Sequence, residues 1–183
     1  MSALAELNRD VFTMSRTHLG ARAATFVAGV TFIATIGAAA QLDLLPALAM
    51  IGVVLLASWH PHTLLPLIAI VYLVVNWIAI APAAWSPWSV VAALSLLIFH
   101  TGAAMCAAVP AQAPLPATVW ASTGRRVGVV GGITVGVWAM SAIIERVDVG
   151  SGIVPAMVAL GVLSLVLAAH YGLLLKSQAD SLR

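Results

Sequence analysis

Six apolar runs, each separated from the next by a short stretch of polar, proline or glycine residues, govern what this chain can become. They cover residues 23–40, 42–59, 64–81, 89–109, 127–144 and 153–175. Crossing about 30 Å of hydrocarbon takes about 17 to 25 residues of helix, and each run meets that length. Lipid offers the backbone no hydrogen-bond partners, so runs of this kind satisfy their own N–H and C=O groups as α-helices. The reading is an all-α, polytopic transmembrane helix bundle of about six spans. Its parts are an amphipathic cytoplasmic segment over 1–22, a single transmembrane domain over 23–175 and a cytoplasmic tail over 176–183.

The breaks fall at 41–43, 60–62, 82–88, 110–126 and 145–152, and the longest of them holds three prolines and the pair Arg125 and Arg126. Proline and glycine clusters of this kind end helices and turn the chain. Such short connections make neighbouring helices antiparallel. Hydrophobic residues are 62% of the chain and charged residues 8%, a balance that excludes an ordinary water-soluble domain.

Orientation follows from Lys and Arg alone. With six spans and the N-terminus inside, the inner segments hold Arg9, Arg16, Arg22, Arg125, Arg126, Lys176 and Arg183, and the outer loops hold only Arg146. If 42–59 turned back instead of crossing, the three N-terminal arginines could no longer share a side with Arg125 and Arg126. Six spans obey the positive-inside rule and five break it. Trp85 and Trp88 then flank an outer helix end and Trp59 an inner one, as an aromatic belt would place them. These features point to a multi-pass membrane protein, with the first span retained because no small-residue cleavage site follows it.

Ahead of the first span, Leu4, Leu7, Val11 and Met14 recur at helical spacing, with Glu6, Asn8, Arg9, Asp10 and Arg16 on the other side. This reads as an amphipathic helix that docks on the lipid surface or on a partner subunit. Its mixed-charge polar face favours the partner, since surface-seeking helices carry mainly Lys and Arg there.

Gly124, Gly128, Gly132 and Gly136 repeat every fourth residue in the fifth run, with Gly131 adjacent. Small residues at that spacing make a flat helix face on which another backbone packs closely. The expectation is that Gly132→Leu lowers the yield or thermal stability of the extracted protein. In the fourth run, Ala103 and Ala107, or Gly102 and Cys106, supply a comparable small face.

Polar groups within spans are costly and mark contacts or pathways. Asn76, His100 and His170 are the candidates here, as interhelical hydrogen-bonding groups or as the lining of a solute or lipid pathway. No Asp, Glu, Lys or Arg falls deep in any expected span, which weighs against a proton-coupled carrier, an ion pump or a voltage sensor.

His60 and His62 are two imidazoles in one turn, too few to complete a tetrahedral metal site, and the single Cys106 excludes an internal disulfide. Ser95, Thr101, Thr134, Ser141 and Ser164 sit in no recognisable nucleophile setting, and the glycines at 124–136 lack the strand and the Lys-Ser/Thr ending of a phosphate loop. The eight basic residues are scattered, so no stripe tracks nucleic acid. No cofactor or metal is expected.

Seven arginines against one lysine, alanine-rich spans, tiny extramembrane segments and the Trp85-Ser86-Pro87-Trp88 loop resemble, in style, small multi-pass membrane proteins of high-GC bacteria. Some of those are encoded near MoxR-type ATPases, and others are accessory subunits of envelope machines such as lipid importers. The resemblance implies a non-enzymatic accessory or assembly subunit whose partners are lipids and other membrane subunits, or further copies of itself. The alternative is a small homo-oligomeric transporter or channel for a neutral or lipidic substrate that passes His100 and Asn76.

Overall fold

A computed structural model describes residues 14–80, 86–146 and 161. The described residues form five helices and no strand: α1 (Arg16–Ala39), α2 (Leu44–Trp59), α3 (Leu65–Ile80), α4 (Pro87–Ala108) and α5 (Ala117–Arg146). Three of them, α1, α4 and the Ala117–Ile143 portion of α5, are long and apolar enough to cross a membrane, which marks the chain as a membrane protein. Helix α2 is apolar but only 16 residues long, and α3, also apolar, is described over 16 residues. The run 153–175 lies outside the described residues apart from Gly161.

Local chemistry sets where each helix starts and stops. Ser15 caps α1, its hydroxyl accepting from the His18 N–H at 3.3 Å. Thr63 does the same ahead of α3, accepting from Leu65 N–H at 3.2 Å while its own hydroxyl donates to the His60 carbonyl. Ser86 caps α4 and Pro87 opens it, in the first-turn position where a missing N–H costs nothing. Helix α5 starts directly after Pro116, whose carbonyl accepts from Val119 and Trp120.

Two helices run further than the apolar runs. Helix α1 begins at Arg16, seven residues before the run at Ala23, and α5 begins at Ala117, ten residues before Val127. Hydropathy detects only the lipid-compatible part of a helix. Arg16, Arg22, Arg125 and Arg126 are good helix formers and continue the coil to the nearest cap or proline.

Residues divide into two units, 1–131 and 132–183. The first holds α1 to α4 and the start of α5. Within it α1 packs chiefly against α4 and then α2, and α2 against α3. The centre of this unit is Phe99, Ile36, Met50, Leu73 and Val54, all fully buried, with Phe32 tilted against Trp77 at 5.9 Å between ring centroids. Two glycines permit the close approach. A Cβ on Gly29 would collide with Val54 and lie 3.2 Å from Phe99, and one on Gly102 would collide with the Thr25 hydroxyl. The described part of the second unit is the remainder of α5 and Gly161.

Candidate functional site

Helix α1 buries one face. His18, Arg22, Thr25, Gly29, Phe32 and Ile36 follow each other at alternating steps of four and three, the spacing that keeps residues on one side of a helix, and all six are buried. The interior of this unit is therefore apolar over most of α1 and polar at its N-terminal end.

At that end the connection between α4 and α5 folds over the start of α1. Ser15 donates from its backbone N–H to the Ala111 carbonyl at 3.1 Å and from its hydroxyl to the Ala113 carbonyl at 3.0 Å. Leu115 N–H donates to the Thr17 hydroxyl at 3.0 Å. His18 Nε2 donates to the Val109 carbonyl at 3.1 Å, since a carbonyl can only accept. Leu115 then seats in a small apolar cluster with Ala21, Met105 and Cys106. His18 is fully buried, and its second ring nitrogen, Nδ1, has no hydrogen-bond partner among the described residues. One turn further on, the Arg22 guanidinium lies over the Trp59 ring, 5.6 Å from its centroid, in cation–π contact.

A second feature lies between α3 and α4. A cavity of about 190 Å³ is walled by Pro66, Leu67 and Ile70 from α3 and by His100, Ala103 and Ala107 from α4, with Pro61 and Thr63 at one end. It is apolar except for the imidazole of His100 and the hydroxyl of Thr63. His100 is exposed and makes no hydrogen bond among the described residues. It stands eight residues from Ala108, about 12 Å along α4 from that helix end.

The sequence-derived candidates separate. Asn76 does not join His100 at the cavity; its amide donates to the Tyr72 carbonyl of its own helix at 2.8 Å. His170, Leu4, Leu7 and Val11 lie outside the described residues, and Met14 is half-buried at the bend before α1. Among the described residues nothing comes within 4 Å of a Cβ built on Gly124, Gly128, Gly132 or Gly136, whereas one on Gly131 would meet Leu94 at 3.1 Å. Arg125 and Arg126 are exposed on α5.

Hydroxyl groups are used locally. Thr25, Ser58, Ser95 and Thr101 each donate to the carbonyl four residues back, at 2.7 to 2.8 Å. This is how hydroxyls satisfy themselves in a helix without water. His60 and His62 are exposed in their turn, and among the described residues no three His, Cys, Asp or Glu side chains gather as a metal set.

Sequence reading missed the Ser15, Thr17 and His18 contacts with 109–115. The available signal was the spacing of His18, Arg22 and Thr25, which continues the buried face of the first run backwards into residues that look like a polar leader.

No protein-family model, no curated protein and no solved structure matches this chain.

Proposed function

We propose that the chain is a non-enzymatic accessory or assembly subunit of a larger envelope membrane complex, such as a lipid or solute transporter. In this reading it crosses the bacterial inner membrane six times, with both termini in the cytoplasm. The open glycine face of α5 carries the reading. Gly124, Gly128, Gly132 and Gly136 are arranged for close helix packing, and nothing occupies that face among the described residues. Lipid gains nothing from such a face, whereas a neighbouring helix does. The seven-to-one division of Lys and Arg supports the direction of the spans.

Extraction in mild detergent tests this directly. A stoichiometric membrane partner should copurify with the wild-type chain and be lost with Gly128→Leu. Recovery of a partner-free monomer from its native membrane would refute an accessory role.

One observation favours the transporter alternative, in which copies of this chain move a neutral or lipidic substrate. His100 presents an imidazole without a hydrogen bond at the edge of the α3 and α4 cavity, where an amphiphile could use it. That reading requires a homo-oligomer in detergent and a transport defect in His100→Ala.

A further inference from the structure

We propose that His18 is a proton-operated latch that holds the 109–116 connection against the start of α1. The connection is fastened by four hydrogen bonds, from Ser15 N and Oγ, from Leu115 N to Thr17, and from His18 Nε2 to the Val109 carbonyl. Only the last uses a group that can change charge near neutral pH. Because Nε2 must donate to Val109, the neutral ring carries its lone pair on Nδ1, and Nδ1 is buried with no partner. The neutral tautomer fits this site: it leaves one lone pair unused and no donor unmet.

A proton on Nδ1 reverses that fit. The imidazolium has two donors, and the second would face no acceptor in a site closed to water. Its charge would also sit in the first turn of α1, where the helix presents its positive end. The titratable and charged groups around it supply no compensation among the described residues. On α1 they are Arg22, one turn away, and the exposed Arg16; on α4 they are the buried thiol of Cys106 and, further along the helix, the exposed His100. From α2 comes the uncharged Trp59, stacked on Arg22, with His60 exposed beyond it. The 109–116 connection carries no ionisable side chain, and Arg125 and Arg126 on α5 are exposed. Asp43 lies beyond the opposite end of α1. The protonated ring is therefore accommodated by lifting 109–116, which lets Nδ1–H reach water and withdraws Leu115 from its seat.

Cys106 reports that movement. It is the chain's single cysteine, 1% exposed, and clustered with Leu115. In the full chain in detergent, maleimide labelling is measured at about pH 7.5 and about pH 5.5, on either side of the histidine range. His18→Gln is the comparison, because its amide N–H can still donate to Val109 and does not titrate. Dividing the wild-type rate by the variant rate at each pH removes the thiol's own pH dependence. The ratio should rise several-fold on acidification; a ratio equal at both pH values overturns the latch. Should His18→Gln not be recovered folded, hydrogen exchange of wild-type 109–116 relative to α2 decides the question. Faster relative exchange at the lower pH is expected, and unchanged relative exchange overturns the proposal.

Discussion

Helices α1 and α5 are both long, apolar and glycine-bearing, yet they stand in opposite situations. Half of the most apolar 18-residue window of α1 is buried, against 6% of that of α5. Two glycines of the α1–α4 seam are filled by a neighbour: Gly29 by Val54 and Phe99, Gly102 by Thr25. Gly124, Gly128, Gly132 and Gly136 of α5 meet none of the described residues. The same residue thus serves two ends, an internal seam that is closed and a face that the described residues leave open. Spacing reveals the second kind and hides the first, because a closed seam needs only one glycine where one bulky neighbour arrives.

Substitutions can break this contrast in graded steps. Phe99→Ala empties the centre of the closed seam and should destabilise the extracted protein by about 3 to 5 kcal/mol, read as a large fall in its melting temperature. Gly102→Leu should cost about 1 to 3 kcal/mol in the same measurement, since Thr25 stands where its Cβ must go. A melting temperature equal to wild type in either variant would mean that α1 and α4 do not form the seam. Gly132→Leu should shift the isolated chain by no more than about 0.5 kcal/mol, because no described residue comes within 4 Å of a Cβ there. Its effect should appear instead as lost recovery of a partner or of higher oligomers in native extracts. If Gly132→Leu destabilised the isolated chain as much as Gly102→Leu, the distinction between closed and open faces would fail.

That last expectation differs from the one drawn from spacing alone, which places the cost of Gly132→Leu in the yield and stability of the chain itself. Periodicity shows that a face is flat; it carries no information on what stands opposite. The helical class was legible because long apolar runs have one outcome in lipid; the starts after Ser15 and Pro116 were not, because hydropathy ends at Ala23 and Val127 while capping and proline chemistry set the helix ends further out. The pairing of α1 with α4 was not legible, since it depends on the shapes of Thr25, Val54 and Phe99 meeting across the unit. His18 was passed over for a related reason. A histidine ahead of an apolar run looks solvated until the 109–116 connection is seen to cover it. Asn76 drew notice as an intramembrane polar group, but its bond to Tyr72 answers the need locally.

The brevity of α2 bears on the lipid as much as on the protein. Its sixteen residues rise about 24 Å, roughly 6 Å short of an average hydrocarbon core. Were such a helix to cross, the acyl chains beside it would have to shorten or disorder, and the two leaflets would be drawn together. A protein carrying that pinch would partition toward thinner patches of bilayer, and other short-spanned proteins would gather there by the same elastic preference. Membrane thickness can then act as a sorting rule that selects the company this chain keeps before any side chain touches another.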